Sequence, residues 1–463
     1  MKTLPSASMA LTILLLANYL FSPSPAHAES TAPSEVSSPN AQDEFWAQGK
    51  NVRLGPLLFD FGGQARLRYE NDEDFLLTGY APGENDQLLL SRIRLDFSFR
   101  YAKNVRLFLQ LQDAHAFLTQ YKDSDFPLSS PIEDTMDIRQ LYLEWLNIGG
   151  SPIGFRVGRQ QISYGDQRVF GPGNWGNTGR YAWDAAMLII NTKWVEADLW
   201  TGSNLLYKSD EWPDQPIDHF LTAVGYVKIK KLTFRLDLFY VFKDDYRGDI
   251  KGESGTGDLH SHTVGFQAEG KAFNYCDWGT TFAAQFGDYG KDTIRAYGAN
   301  GKLGVTFPTA WSPRLGGQYT WGSGDHDPDD GVHETFDGVF GGRDIFFYGY
   351  LNLFFWPNLH DMEADFSLRP HRNLQLYMEY HHFNLDDPRD AWYTTGLSAY
   401  RRDPTGNSGT TLGDEIDFRA VWTLWNHLEL MGAYGQFIPG EFVKNTGRAS
   451  IAQWFCFQTA YSW

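Results

Sequence analysis

Cysteine is scarce in this sequence, with only 2 residues in a chain of 463. Cys276 and Cys456 lie far apart, and a long chain with so few cysteines is not a small scaffold held together by disulfides. We therefore predict that both thiols are unpaired.

Long hydrophobic segments are missing beyond the N-terminus. The one long apolar stretch, residues 9–21, follows Lys2 and leads into Ala26-His27-Ala28, a small-x-small cleavage pattern. We predict a secretory signal peptide over residues 1–28 and a flexible segment rich in Ser, Pro and Ala over residues 29–55. The mean hydropathy of -0.41 argues against a bundle of membrane helices.

Basic residues are outnumbered, because 39 Lys and Arg stand against 57 Asp and Glu and give a formal charge of -18. Taken alone, this balance argues against nucleic acid or any anionic polymer as a partner. However, much of the acid lies in predicted loops, whereas many arginines lie on predicted strands. The net charge therefore describes the outside of the molecule and not the lining of a pore.

Strict alternation of charged and apolar residues organises the stretch from residue 88 to residue 112. Arg92 and Arg94 alternate with Ile93 and Leu95, and the pattern resumes after a short turn at residues 102–104. Successive side chains of a strand point to opposite faces, so this is a β-hairpin with one charged face and one apolar face. In a soluble sandwich the apolar face would be the core, whereas in a membrane barrel it would meet lipid.

The rest of the chain favours the barrel. It reads as about eighteen strands in residues 56–463, joined by short turns that alternate with long loops, and it ends on Trp463. The connection between the strands that end near Phe242 and begin near Leu259 is expected to be one of the long loops. No blade-length repeat supports a propeller. We predict an all-β protein: a transmembrane, antiparallel, up-and-down β-barrel of the outer membrane, with short periplasmic turns and long extracellular loops.

Arginines occupy the charged face of several predicted strands. By alternation, the residues expected to point into the lumen are Arg66, Arg68, Arg92, Arg94, Arg106, Arg156, Arg235, Arg369 and Arg419. Arginine pairs with planar carboxylates and keeps its charge, so these side chains are candidates to line a pore for an acidic solute.

Several motifs resemble the alginate export family of outer-membrane barrels. They are the run from Gly158 to Arg168, the segment Trp175-Gly176-Asn177-Thr178-Gly179-Arg180, residues 139–145 and residues 413–417. The resemblance implies an eighteen-stranded barrel that passes a polyuronate through an arginine-rich pore, and it implies a monomer. It also adds Arg139 and Arg159 to the lining, although simple alternation places both on the outer face; a bulge near each, or a place at the barrel rim, would resolve the difference. In the family, the long loop that here spans residues 323–358 and contains Arg343 folds partly into the pore.

A structural role for the luminal arginines is the alternative to direct solute binding. Luminal carboxylates could pair with them simply to hold the wall of a wide polar barrel together; the available ones are Asp96, Glu144, Asp237, Glu363, Asp365, Glu379, Glu415 and Asp417. His381 and His382 are adjacent on a strand, so they face opposite ways and cannot share a metal directly. We predict no catalytic residue, no metal and no cofactor.

These observations predict a channel and not an enzyme. The expected solute is an anionic polysaccharide of the alginate type, exported through an arginine-lined pore. An uptake porin for small anions or oligosaccharides is the alternative, and an outer-membrane enzyme or a plugged structural barrel belongs to another class. The expected partners are the acidic polymer or small anions, outer-membrane lipid, and periplasmic export or assembly proteins, with no nucleic acid.

Overall fold

Eighteen antiparallel strands close into one barrel in a computed structural model of the chain, which describes residues 46–75, 85–122, 125–126, 129–273 and 275–463. The all-β barrel predicted from the sequence is confirmed, including its strand number. The strands are β1 (Leu57–Glu73), β2 (Asn85–Tyr101), β3 (Val105–Phe117), β4 (Asp134–Trp145), β5 (Ile153–Gln160), β6 (Trp183–Asn191), β7 (Val195–Asn204), β8 (Phe220–Ile229), β9 (Arg235–Lys251), β10 (Thr256–Ala272), β11 (Cys276–Tyr289), β12 (Asp292–Thr306), β13 (Arg314–Gly322), β14 (Leu359–His371), β15 (Leu374–Asn384), β16 (Thr411–Leu424), β17 (Leu428–Pro439) and β18 (Ala452–Ser462).

Closure comes from the pairing of the first and last strands. Tyr69 lies opposite Phe457 and Arg66 lies opposite Ala460 in the β1–β18 ladder, so the sheet has no open edge there. Short accessory elements surround the barrel: the strands Val52–Leu54, Val332–His333, Ala391–Tyr393 and Ala399–Arg402, and the helix α1 (Glu441–Thr446). Among the described residues, no helix is both long and apolar enough to cross a membrane. Both cysteines are free thiols.

The outer face of the barrel is apolar and the inner face is polar. On β2, the side chain of Ile93 is 47% exposed, whereas those of Arg92 and Arg94 are 4% and 7% exposed. Large aromatic side chains are exposed near the short turns, where interface residues of membrane barrels are found, and they include Trp145, Trp194, Phe273, Trp311 and Trp425. The lipid-facing arrangement of the alternating pattern is thus the one that the chain adopts.

Short turns and long loops lie at opposite ends of the barrel. The turns that leave the even-numbered strands from β2 to β16 are short, and the long connections at the other end include residues 161–182, 205–219, 323–358 and 385–410. One predicted long loop is wrong: β9 continues to Lys251 and β10 begins at Thr256, so only residues 252–255 connect them. Residues 246–251 are mostly exposed and rich in charge. A ribbon exposed to water needs no apolar face, so apolar alternation gave no strand signal there.

Both described chain ends lie at the end of the barrel that carries the short turns. Trp463 donates its backbone N–H to the Gly63 carbonyl at 3.0 Å, and Trp46 stacks on Trp463 with ring centroids 5.4 Å apart. The strand Val52–Leu54 pairs with the beginning of β1. The predicted signal peptide (residues 1–28) and residues 29–45 of the predicted flexible segment lie outside the described residues, so both stay predictions.

Two long loops fold back into the barrel and form an apolar core inside it. We call residues 161–182 inner loop A and residues 323–358 inner loop B. Phe170 of inner loop A and Phe340 of inner loop B contact each other with centroids 5.1 Å apart, and Phe354 stacks on Phe383 of β15 at 3.8 Å. All four rings are buried. The interior near the loop end of this barrel is therefore packed like a protein core.

Candidate functional site

Five buried arginines line one sector of the inner surface, which we call the basic wall: Arg66, Arg68, Arg92, Arg94 and Arg139. Arg66 lies directly opposite Arg92 in the β1–β2 ladder, a pairing of like charges that is destabilising unless acceptors surround it. Within the described ranges, only Arg68 has a carboxylate partner, Glu70, at 2.6 Å. The other guanidinium groups must therefore find neutral acceptors.

Backbone carbonyls of inner loop A supply those acceptors. Arg66 Nη1 donates to the carbonyl oxygens of Asn174 and Trp175, each at 3.1 Å, and Arg92 Nη1 donates to the Asn174 carbonyl at 3.0 Å. Arg68 donates to the Trp175 carbonyl at 2.7 Å and also stacks on the Trp175 ring, 4.0 Å from its centroid. The basic wall thus holds the tip of inner loop A inside the lumen.

Asn177 fixes the same tip from the other side. Its Oδ1 accepts from Arg66 Nη2 at 3.1 Å, and its Nδ2 lies 2.9–3.1 Å from the carbonyl oxygens of Ser91, His115 and Ile132. The side chain is fully buried. One amide group therefore links the tip of inner loop A to β2, to β3 and to the segment before β4.

Five carboxylates and one histidine form a second sector, the acidic wall: Asp361 and Glu363 of β14, Glu379 and His381 of β15, and Glu415 and Asp417 of β16. Glu363 lies opposite His381, and Glu379 lies opposite Asp417, so the three strands bring these side chains together. Strands β17 and β18 separate this wall from the basic wall.

The acidic wall holds inner loop B through N–H and O–H donors. Leu351 N donates to Glu415 Oε1 at 2.9 Å, Tyr350 N donates to Asp417 Oδ2 at 3.2 Å, and Tyr350 Oη donates to Glu379 Oε1 at 2.8 Å. Gly349 precedes these donors with φ of +85°, and a Cβ there would lie 2.4 Å from Glu415 Oε1. Consecutive N–H groups after a left-handed residue form a concave anion site, which here receives carboxylates of the wall.

The two inner loops join each other between the walls. Gly171 N donates to the Phe340 carbonyl and Phe340 N donates to the Val169 carbonyl, both at 3.0 Å. Arg168 lies at this junction, 3.9 Å from the centroid of the Phe347 ring. Burial acts to raise the pKa of the Asp166 carboxyl, but the charges of Arg168 and Lys302 outweigh it and hold that pKa below its ordinary value.

Three other predicted pore arginines are accessible from the lumen. Arg343 and Arg369 are exposed and Arg419 is half-buried. The guanidinium groups of Arg343 and Arg419 lie 5.1 and 4.9 Å from the centroid of the same ring, that of Phe346. None of the three forms an ion pair with a carboxylate in the part of the chain that the structure describes.

Comparison with known families identifies the family of the chain. A family model described as alginate export matches residues 58–457. The chain belongs to the alginate export family. No curated protein is significantly similar to it in sequence.

Solved outer-membrane proteins share the fold of this alginate export family member at low sequence identity. OccAB2 of Acinetobacter baumannii has a TM-score of 0.58 at 11% identity, covering 88% of this chain and 98% of that one. OpdQ of Pseudomonas aeruginosa has a TM-score of 0.57 at 9% identity, covering 88% and 97%. OccK11 (OpdR) of the same organism has a TM-score of 0.55 at 12% identity, covering 87% and 95%. The family and the barrel together support an outer-membrane channel.

The arginines predicted for the pore of this alginate export barrel fall into three sets, apart from Arg106. Arg66, Arg68, Arg92, Arg94 and Arg139 form the basic wall. Three others are paired with acids: Arg156 with Glu144, Arg159 with Asp184 at 3.0 Å, and Arg235 with Asp237 at 2.6 Å. Arg343, Arg369 and Arg419 are open, and Arg106 donates to Ser98 Oγ at 3.0 Å. Their roles toward a solute stay predictions.

Arg139 and Arg159 point inward despite their position in the alternation. The β3–β4 ladder passes from the pair Gln110–Gln140 directly to Leu111–Ile138, so a bulge at Arg139 turns its side chain into the barrel. Gly158 adopts φ of +119°, where an added Cβ would lie 2.3 Å from the Leu141 carbonyl oxygen, and the next residue, Arg159, is 9% exposed on the inner side. The outer-face placement from simple alternation is wrong for both residues.

Two parts of the site were not foreseen from the sequence. Glu144 and Asp237 pair with arginines as expected, but Glu363, Glu379, Glu415 and Asp417 form no ion pair with an arginine among the described residues and belong to the acidic wall instead. Acidic or histidine residues two positions apart on three successive strands were the available signal. The carbonyl acceptors of inner loop A left no signal, because every residue has a carbonyl group.

Proposed function

We propose that this outer-membrane channel passes an anionic hydrophilic solute, and that its most specific form is the export of an acidic polysaccharide of the polyuronate class. The observation that carries the proposal is the set of luminal arginines without carboxylate partners. In a chain of net charge -18, they concentrate positive charge inside the barrel. The family model agrees with this assignment.

Arg343 and Arg419 give the solute its first contacts in this proposal. Both guanidinium groups are held over aromatic rings and keep their N–H groups available to a carboxylate. A sugar acid can pair with such a group through two parallel hydrogen bonds, which orient it as well as attract it. Separate cations along the path lower the barrier for a polyanion without holding it at one position.

The basic wall takes part by exchanging acceptors. In the resting arrangement Arg66, Arg68 and Arg92 donate mainly to neutral carbonyl oxygens of inner loop A. A carboxylate is a stronger acceptor than a carbonyl, because hydrogen bonds to charged groups are shorter and stronger. An arriving polyanion can therefore replace the tip of inner loop A on the wall and widen its own path.

A second candidate function, uptake of small anions or oligosaccharides, is supported by the space left between the loops. The cavities at the loop end have volumes of about 280 and 510 Å³, and the larger is lined by Arg68, Trp175, Tyr350 and Trp454 among others. Compartments of this size suit one or a few sugar units. This candidate needs no displacement of an inner loop.

Planar-bilayer conductance of the refolded chain without residues 1–28 tests the proposal. We expect an anion-selective reversal potential and a block by oligouronates that neutral oligosaccharides of equal length do not cause. The double variant Arg343→Gln/Arg419→Gln should lose selectivity and block together. The charge-preserving variant Arg343→Lys/Arg419→Lys should keep the selectivity but bind oligouronates more weakly, since an ammonium group lacks the planar pair of donors.

The same experiment separates the alternatives. A cation-selective channel whose conductance is unchanged by oligouronates overturns the proposal. The family membership and the barrel fold would still stand. Permeation of mono- and diuronates with exclusion of longer chains favours the uptake candidate. A barrel that is folded but silent under all conditions supports the plugged structural barrel.

A further inference from the structure

The acidic wall concentrates more negative charge than its surroundings neutralise. Asp361, Glu415 and Asp417 are fully buried and His381 is 1% exposed. No arginine or lysine forms an ion pair with any of the five carboxylates in the described ranges of the chain. Buried carboxylates of this kind require protons or a cation to balance them.

His381 is oriented by one of these carboxylates. Its Nδ1 lies 3.0 Å from Asp361 Oδ1, which fixes the ring, and its Nε2 has no hydrogen-bond partner among the described residues. A histidine that ligates a metal is typically held in this way, with a carboxylate behind one ring nitrogen and the metal on the other.

Other buried atoms of the wall also lack partners. Asp361 Oδ2, Glu415 Oε2 and Asp417 Oδ1 accept no hydrogen bond from any described residue. Ligand atoms of Glu379, His381 and Asp417 lie within 4.8 Å of one another, and so do those of Asp361, Glu363 and His381. His381 therefore belongs to two adjoining clusters, one with Asp361 and Glu363 and the other with Glu379 and Asp417.

We propose that Glu379, His381 and Asp417 bind a divalent first-row metal ion of the Zn²⁺ type, with Asp361 behind the histidine ring. Imidazole nitrogen and carboxylate oxygen together suit Zn²⁺ better than Ca²⁺ or Mg²⁺, which prefer oxygen ligands alone. The ion supplies positive charge that the wall otherwise lacks.

The ion and inner loop B share the same ligands. Glu379 and Asp417 accept hydrogen bonds from Tyr350, and Glu415 accepts from Leu351. A metal ion that fixes Glu379 and Asp417 therefore also fixes the N–H and O–H donors of Tyr350, next to the Leu351 N–H on Glu415. The site stabilises the inward position of this loop, whichever solute the channel passes.

Metal binding by the tag-free, refolded chain tests the proposal. After incubation with Zn²⁺ or Ca²⁺ and desalting, elemental analysis should find about one tightly held Zn²⁺ per chain and no competition from Ca²⁺. His381→Ala should lose this ion, whereas His382→Ala should keep it. His382 is the matched control, because it is the next residue on the strand, lies outside the cluster and pairs with Asp414 at 2.8 Å.

Two further measurements keep the test decisive. Asp361→Asn should weaken Zn²⁺ binding by about 10- to 100-fold, the usual effect of losing the carboxylate behind a ligating histidine. Zn²⁺ should also slow amide hydrogen exchange at Tyr350 and Leu351 in the wild-type chain, and not in His381→Ala. Binding that is unchanged in both His381→Ala and Asp361→Asn overturns the site, and so does the absence of any tightly held ion in the wild-type chain.

Discussion

Oδ1 of Asn177 accepts a hydrogen bond from Arg66 Nη2 at 3.1 Å, deep inside the barrel. The arginine was predicted as a pore-lining cation, and in this structure it secures a loop. The contact therefore connects two properties of the channel, the charge of its wall and the position of inner loop A. A solute that engages Arg66 necessarily acts on that loop as well.

Loss of the Asn177 side chain should release the tip of inner loop A. In Asn177→Ala, Arg66 loses one acceptor, and three partly buried carbonyl oxygens lose their contact with the two N–H groups of Nδ2. Each unsatisfied buried polar group costs about 1–3 kcal/mol, so local opening becomes much easier. Amide hydrogen exchange at residues 174–178 should accelerate strongly. Asn407→Ala, an exposed asparagine in another loop, should change nothing, and equal exchange in the two variants contradicts the anchoring role.

Removal of two arginines from the basic wall should enlarge the channel. Arg66→Gln/Arg92→Gln removes both arginine donors to the Asn174 carbonyl and one of the two to the Trp175 carbonyl, while keeping polar side chains. We expect the single-channel conductance to rise roughly twofold or more because inner loop A leaves the lumen. Transitions between conductance levels should also become more frequent. Arg100→Gln on the same strand, where Arg100 pairs with Asp60, is the control. A conductance that falls would mean that solute attraction outweighs loop anchoring.

A methyl group at Gly349 should detach inner loop B. In Gly349→Ala the new Cβ meets Glu415 Oε1 at 2.4 Å, so the donors of Tyr350 and Leu351 move off the acidic wall. Gly396→Ala provides a matched control, since its φ of +72° is equally unfavourable for alanine but its Cβ meets no atom within 4 Å. Faster exchange at residues 350–351 in the first variant alone shows that close approach is responsible. Equally accelerated exchange in both variants would show that backbone strain, and not the close approach to Glu415, causes the effect.

The attachment of inner loop B near Asp325 should depend on pH. Burial and the neighbouring Glu253 and Asp390 carboxyls raise the pKa of Asp325 from its ordinary value of 3.8 to about 7. The folded loop thus holds this proton more tightly than the open loop does. Its stability is greatest below pH about 4 and falls as pH rises to about 7, by about 1.4 kcal/mol per pH unit.

Asp325→Asn should remove this dependence, because the amide stays neutral. The difference in amide exchange between variant and wild type over residues 323–336 should be small at pH 5 and large at pH 8, with the variant better protected. Asp329→Asn, an exposed acid of the same loop, should follow the wild type at both values. Better protection at pH 5 than at pH 8 in the variant would assign the titration to another group.

The barrel could be predicted from the sequence because lipid imposes a simple rule on each strand. Ile93 and Leu95 must face hydrocarbon, which leaves Arg92 and Arg94 inside, and this parity holds along most of the wall. The rule fails where a strand segment does not face lipid and where the backbone is irregular. Residues 246–251 are mostly exposed to water, and the inward positions of Arg139 and Arg159 depend on a bulge and on a glycine with positive φ that local sequence does not specify.

What the luminal groups contact could not be predicted in the same way. The partners of Arg66 lie more than a hundred residues away in inner loop A, and apart from Asn177 they are backbone carbonyls with no side-chain signature. The acidic wall depends on the register of three strands, which places Glu379 beside Asp417 and His381 beside Glu415. The charged residues can be identified from the sequence, whereas their pairing depends on how two loops re-enter the barrel.

The separation of the basic wall from the acidic wall makes the channel electrically asymmetric around its axis. Only β17 and β18 lie between the two walls, so a permanent field runs along one side of the barrel from one wall to the other. Under the proposed function, a sugar acid passing this side would be turned so that its carboxylate faces β1 and β2 and its hydroxyl groups face β14 to β16. Two solutes of equal size and charge but different dipole would then pass at different rates.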